Sequence, residues 1–412
     1  MSSAKSIIRP LRYEDLGDFW EIVVLAGSEG YVPSLKEGRI KWFNKLMTEL
    51  PGFSYYGAFR EGKMYGGMAI GDFELNLRSH VVRLSSIGMI HTDMLHKKEK
   101  VCKDMMEFFI EDNKEKGVNI LTLNPFRPDF YKQMGFGYSS CLYHYRIPPA
   151  SFPNTGSKEL LSYLEEKEKR EYVESFNRFH KKTHGSINSA IKSTWFLENF
   201  EEKDECIIVA KENGIIRGGL TFSFGKEWEM VIEDMFYENS TVLLAFCSFI
   251  HSQSDQFKRV LFSTPDDYFY YLLHDPTDGM SNNENCTSTI NNMFRVINVA
   301  GLFTELHDAS FNEQNAVLEI TVNDAFFPQN NGATVVEFIN GKPSVCPSNK
   351  HGSNTIIKIK LDISDFSSLI IGAVNVKTLY RLGLVEISDI TKLDIIESIF
   401  SISHKPFSAG GL

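Results

Sequence analysis

Nowhere in this sequence do two cysteines stand close enough along the chain to suggest a shared metal. The six of them, at 102, 141, 206, 247, 286 and 346, stand singly, and no C-x-x-C pair occurs. Neither a zinc site nor a disulfide framework is indicated. Positive charge is also scarce. Against 53 Asp and Glu there are only 43 Lys and Arg, a formal net charge of −10. That excludes the basic footprint of a general nucleic-acid binder and suits a cationic partner such as a polyamine or an aminosugar. Long apolar runs are missing as well. No stretch approaches the ~18 residues that would span a bilayer. Residues Met1 to Arg12 lack the apolar core of a signal peptide, since Lys5 and Arg9 flank Ile7-Ile8. A cytoplasmic protein without membrane contact is expected.

What is present is the composition of a globular protein: 412 residues, 42% apolar and 23% charged, with 32 Phe. The length suggests two or three domains. The stretch 81–138 organises the rest. Val81 to Ile90 is an apolar, β-branched run that reads as a strand. A helix follows, with Val101, Met105 and Phe109 in one stripe, Cys102 and Met106 beside it, and Lys103, Glu107, Glu111 and Lys114 toward water. Gly117 reads as its stop. Val118 to Leu123 is a second strand, and Phe130 to Met134 a short helix closed by Gly135.

This order carries chemistry. The first turn of the longer helix has free N–H groups and the positive end of the dipole, where a pyrophosphate binds. His96, Lys97, Lys98 and Lys100 gather positive charge there in an otherwise acidic chain. Tyr131, just beyond the second strand, is placed to give a proton to a leaving thiolate. The plainer alternative is an ordinary βαβ unit with a solvated lysine cluster and a core tyrosine.

The segment Asp129-Phe130-Tyr131-Lys132-Gln133-Met134-Gly135-Phe136-Gly137-Tyr138 resembles the FYxxxGFxY end of a GNAT acetyltransferase domain. More narrowly, the whole chain resembles the Eis-like branch of that superfamily. The resemblance implies an α+β fold of tandem GNAT domains followed by a sterol-carrier-protein-like domain. It implies acetyl transfer from acetyl-CoA to the amine of a cationic small molecule or a lysine side chain. Tyr131 is then the general acid and the carboxylate of Leu412 the general base. Acetyl-CoA would lie against Met89, Ile90, His91, His96, Lys97, Lys98, Lys100, Val101 and Asn124, with no metal. A homo-oligomer, hexamer or trimer, is implied too. The family's Arg/Gln-x-x-Gly-x-Gly/Ala loop corresponds here to His96-Lys97-Lys98-Glu99-Lys100-Val101-Cys102, which has no glycine. Cβ atoms stand where backbone would approach phosphate. A non-catalytic acetyl-CoA-binding or small-molecule-binding scaffold is therefore the alternative function.

Three units are expected: a catalytic GNAT domain over 1–147, a second GNAT-like domain over 158–276 and the sterol-carrier-like domain over 290–412. In the first, helices open near Asp15 and span 36–49, and a hairpin turns at Arg60-Glu61-Gly62-Lys63. Glu29 reads as a solvated glutamate. In the second, Trp195 opens a helical stretch, and no phosphate loop with glycine follows the strand Met230 to Phe236. A structural partner without its own cofactor is expected there. Residues 277–289 read as a polar joint, and Met293 to Asn298 as the start of the third domain, for which scaffolding rather than lipid carriage is expected. The end, Lys405-Pro406-Phe407 and onward to Leu412, resembles the Eis ending, in which the last carboxylate reaches back into the first domain.

Overall fold

The computed structural model describes residues 5–26, 33–50, 52–189, 205–279, 285–347 and 356–408. The expectations for Glu29, Trp195 and Leu412 lie outside the described residues. Elements are numbered along the chain among those described, which form three sheets.

The first sheet begins β1 (Ile7–Pro10), β2 (Phe53–Arg60), β3 (Lys63–Leu77), β4 (His80–Thr92) and β5 (Ile120–Leu123), in that spatial order. The turn between β2 and β3 has Glu61 and Gly62 at φ 51° and 79°, the left-handed pair that matches strand twist in a two-residue hairpin. Between β1 and β2 lie α1 (Leu16–Ala26) and α2 (Lys36–Glu49), which bury Phe19, Trp20, Phe43 and Leu46 in a core of their own. On the central helix α3 (Val101–Glu115) the expected stripe of Val101, Met105 and Phe109 is fully buried. Gly117, at φ 70°, follows its end. Then comes the short α4 (Pro128–Lys132), which carries Tyr131.

The second sheet runs β14 (Cys286–Ile290), β7 (Cys141–Ile147), β13 (Arg259–Thr264), β12 (Glu229–Tyr237), β11 (Ile215–Phe224), β10 (Cys206–Glu212) and β8 (Leu161–Tyr163). Two helices pack on it, α5 (Lys169–Lys182) and α6 (Ser240–His251). The third sheet runs β18 (Lys342–Cys346), β17 (Gly332–Ile339), β16 (Ala316–Asn323), β19 (Ile356–Asp362) and β20 (Val385–Ile387). With it go α7 (Val299–Glu305), α8 (Ile363–Ile370), α9 (Val376–Arg381) and α10 (Leu393–Phe400).

Three segments sit elsewhere than the sequence suggested. Met293 to Val296, expected to open the third domain, forms β15 and lies in the first sheet between β5 and β6 (Gly137–Tyr138). Its four side chains, Arg295 included, are all buried. A strand buried on both faces has no alternation to reveal it. Strand β7, expected to close the first domain, instead pairs with β13 and β14 in the second sheet. The polar joint at 277–289 ends in β14, a Thr- and Ser-rich strand paired on one side only. Such polarity suits a sheet edge. The strand β9 (Ile187–Asn188), also unexpected, pairs with β3.

The consequence is a shared core. Phe73, Leu75, Leu84 and Ile120 of the first sheet pack in one cluster with Leu318 of the third, Phe366 of α8 and Ile396 of α10. The first two sheets also repeat a detail. A side chain at Gly66 on β3 would strike Val101 and Met105 of α3, and one at Gly218 on β11 would strike Val242 and Phe246 of α6. In each case the partners are i and i+4 on the helix, so the same close helix-to-strand approach is built twice.

Candidate acyl-CoA site

The site begins where two parallel strands part. Strands β4 and β5 pair from Leu84–Ile120 to Ile87–Leu123, after which β4 continues alone to Thr92. On its other side β4 bulges: Gly67 faces His91 and Ala69 faces Gly88, so Met89 and Ile90 oppose Met68 alone. Met89 takes φ 48° there. A bulge removes backbone groups from the regular ladder and re-aims them, here at the gap beside β5.

That gap opens into a cavity of about 670 Å³. Met89, Ile90 and His91 line it from β4, and Asn124 from the end of β5. Lys97, Lys98, Lys100 and Val101 line it from the loop before α3, and Tyr131 faces them from α4. His96 is the exception. It lies behind the loop, its ring 4.0 Å from that of Tyr65 and its Nδ1 3.2 Å from Glu99 Oε1. Further residues line the cavity that the sequence reading did not assign to it, among them Cys102, Lys103 and Arg127. Lys103, placed toward water by the helix stripe, is half exposed and does both. The signal for Arg127 was its place just beyond the second strand, beside the candidate acid.

The loop adopts, without glycine, backbone angles that glycine favours. Lys98 and Lys100 stand at φ 69° and 67°, the left-handed region that glycine enters freely and other residues enter at roughly 1–2 kcal/mol. They match the glycine positions of the Arg/Gln-x-x-Gly-x-Gly/Ala pattern only when it is counted from Leu95, one residue before the segment to which the sequence reading aligned it. Lys100 is the N-cap of α3, and no side chain caps the helix. The first N–H groups of a helix attract an anion. The one acid in the loop is held aside. Buried Arg60 pairs with Glu99 at 3.3 Å, donates to its carbonyl at 2.9 Å, and meets Asp104 of α3 at 3.3 Å.

Tyr131 is 6% exposed. Burial raises its phenol pKa well above the ordinary tyrosine value, and neighbouring Cys102 adds to the rise. Cys102 itself is pushed up to about 12 by burial. Both stay protonated at neutral pH. His91 Nδ1 is buried with no hydrogen-bond partner among the described residues.

Four residues short of Leu412 the chain end is firmly held. Lys405 pairs with Asp267 at 2.9 Å, and the Phe407 ring packs 5.6 Å from that of Phe179. Ser140 Oγ donates to the Pro406 carbonyl at 2.7 Å, and Phe407 N–H to the His184 carbonyl at 2.9 Å. Asn291 Nδ2 donates to the Ser408 carbonyl. Asn291 lies two residues before Met293, which pairs with Leu123 at the end of β5. The tail therefore reaches the edge of the first sheet at which the cavity opens.

The arrangement sets lysines and a buried tyrosine around one cavity, and comparison with known proteins gives it a class. Residues 8–139 match the acetyltransferase (GNAT) domain family, and so, in a second GNAT domain family, do residues 191–296. The protein is a GNAT-superfamily acetyltransferase built on two such domains. Its particular form is the tandem arrangement closed by a sterol carrier protein domain, matched over residues 304–409.

Solved structures share the whole fold. Eis1 from Mycobacterium abscessus is 16% identical, with a TM-score of 0.77, over 99% of this chain and 100% of that one. A GCN5-related N-acetyltransferase from Kribbella flavida is 14% identical, with a TM-score of 0.80, over 99% and 100%. A probable N-acyltransferase from Enterococcus faecalis V583 is 18% identical, with a TM-score of 0.78, over 99% of both chains. No curated protein sequence matches the chain. Among the described residues no group of His, Cys, Asp and Glu is placed to hold a metal, and no helix is long and apolar enough to cross a membrane.

Proposed function

We propose that the first domain transfers the acetyl group of acetyl-CoA to the primary amine of a cationic small molecule or a lysine side chain. The observation that carries this reading is the convergence of Tyr131, the β4 bulge and the lysine loop on one cavity. Lys97, Lys98, Lys100 and the free amides of α3 would hold the pyrophosphate. Backbone freed at Met89 and Ile90 would accept the thioester, with N–H groups polarising its carbonyl.

The amine nitrogen attacks that carbonyl, the C–N bond forms, and the C–S bond breaks. Tyr131 gives its phenolic proton to the departing thiolate. A second proton must leave the nitrogen, and the carboxylate of Leu412 is the group proposed to take it. An α-carboxyl ordinarily has a pKa near ~3.5, too low for an efficient base at neutral pH, and burial would raise it. The anchoring of Lys405 to Ser408 supports this assignment, since the four residues beyond can span at most roughly 14 Å.

The test is thiol release with polyamines, aminoglycosides and lysine peptides, run beside acetyl-CoA calorimetry. Turnover with any of these amines is expected. A protein that binds acetyl-CoA yet releases no thiol with the whole panel would be the non-catalytic scaffold instead. A C-terminal tag is expected to abolish turnover and leave acetyl-CoA binding intact. Full activity in the tagged protein would assign the base elsewhere.

A further inference from the structure

Helix α4 is only five residues long, and Tyr131 is its one fully buried side chain. No side chain caps its start. An isolated helix of this length does not hold itself in place, yet a general acid must sit within hydrogen-bond reach of the atom it serves. What fixes it comes from the far end of the sequence. Arg295 on β15 donates through Nη1 to the carbonyl of Met134, in the turn that closes α4. Its Nη2 donates to Asp324 Oδ2 at 2.6 Å, and both side chains are wholly buried. Asp324 is held in turn by Phe327 N–H at 2.8 Å and Asn330 Nδ2 at 3.1 Å. The turn is shaped around the guanidinium: a Cβ at Gly135 would stand 1.5 Å from Arg295 Nη1. A second tether joins Lys132, on α4 itself, to Asp365 of α8 at 3.2 Å.

We propose that the third domain positions Tyr131 by these two charged tethers, Asp324 through Arg295 to the Met134 carbonyl and Asp365 to Lys132. The proposal rests on the reading of Tyr131 as general acid. A buried ion pair is a poor source of stability compared with apolar packing, but it demands one geometry. Here that geometry ends on the turn whose amides, Met134 and Phe136, donate to the Tyr131 carbonyl at 2.9 and 3.2 Å. Arg295 and Lys132 are positioning residues, acting on the reaction through Tyr131.

The experiment uses the full chain with Asp324→Asn and Lys132→Met, each alone and combined with Tyr131→Phe. Three quantities are measured: kcat at saturating acetyl-CoA, CoA affinity by calorimetry, and amide exchange at Met134 and Phe136. Asp324→Asn is expected to lower kcat tenfold or more and Lys132→Met about two- to fivefold, by loosened placement of the acid. CoA affinity stays within about twofold, and exchange at both amides quickens. In the Tyr131→Phe background the same changes cost less than twofold, since coupled residues are not additive. Equal fold losses in both backgrounds, or unchanged exchange, would overturn the tether. Full turnover in Tyr131→Phe alone would instead overturn the general-acid reading, so the two failures are read from different variants. Should Asp324→Asn not fold, Lys132→Met carries the same test on a partly exposed side chain.

Discussion

In both GNAT domains a strand runs on after its parallel neighbour has turned away, and a helix starts near the gap. In the first domain β4 outlasts β5, and the helix start is approached by Lys97, Lys98 and Lys100. In the second, β12 pairs with β13 only as far as Ile232–Phe262 and then continues to Tyr237. There the helix start is already occupied. Asn239 caps α6 by accepting from the Val242 N–H at 3.0 Å. Before it stands Glu238, nearly buried and paired with Arg178, Arg217 and Lys182 at 3.0, 3.1 and 3.5 Å. The space beyond is lined by Tyr237, Pro265 and the tail residues Lys405 and Phe407. The frames agree, down to Gly66 and Gly218. What differs is that the second helix start is capped by Asn239, its neighbouring acid is paired, and tail residues line the space beyond. Strand splay is therefore a generic product of the fold, and affinity for a polyphosphate depends on what the loop adds.

The sharpest break in this comparison is expected at the tyrosines. Tyr131→Phe should lower kcat by roughly 10²- to 10⁴-fold, the usual worth of general acid catalysis, with CoA affinity unchanged. Tyr271→Phe, on the exposed turn that follows β13, should leave both untouched. Steady-state kinetics on the two variants decide it, and a silent Tyr131→Phe would erase the distinction between the domains.

A second expectation concerns His184, whose ring joins the first domain to the third and whose backbone carbonyl holds the tail. His184 accepts from the Arg78 N–H through Nδ1 at 3.1 Å and donates through Nε2 to the Ile371 carbonyl at 2.9 Å, so it is bonded as the neutral ring. Burial lowers its pKa from 6.5 to about 4. The unfolded chain thus takes up a proton at higher pH than the folded one. The stability that the neutral ring contributes is full above pH 6.5 and is lost as pH falls toward about 4. A His184→Gln variant should lose less Tm than the parent between pH 7 and pH 4.5. Parallel thermal curves for the two would remove His184 as the acid-sensitive latch.

The smallest effect sharpens the role of the loop. Lys98→Gly relieves a left-handed lysine, and should raise stability by about 1 kcal/mol while weakening acetyl-CoA binding, more at low salt than at high. Lys98→Ala keeps the strained φ and should weaken binding without the gain in stability. Denaturant unfolding beside calorimetry separates the two. Equal stability of both variants would show that the loop bears no strain.

Local features were legible in the sequence because they are local. The hairpin at Glu61-Gly62, the helix over 36–49 and the stripe on α3 each depend on neighbours a few residues apart. Much of the cavity lining was legible for the same reason: Met89 to His91, the three loop lysines and Tyr131 belong to one strand–helix–strand unit, whereas His96 turns away from it. The positive φ at Lys98 and Lys100 was not, since lysine gives no hint of a left-handed backbone. Long-range pairing was hidden more deeply. Nothing in Met-Phe-Arg-Val says that β15 slots between β5 and β6, or that Arg295 is wholly buried against Asp324. The strand partners of β15 lie more than a hundred residues away, and Asp324 stands 29 residues beyond Arg295.

Strand β15 has a consequence for how the protein is made. The sheet that carries the site lacks an interior strand until residue 296 has been synthesised, and its outer face lacks a cover until Leu318, Phe366 and Ile396 have followed. During translation the first domain therefore waits, with Leu84 and Ile120 exposed, for most of the chain to leave the ribosome. Non-local closure of this kind slows folding and lengthens the time in which apolar surface can aggregate. A fragment ending at residue 147 would lack both that strand and that cover.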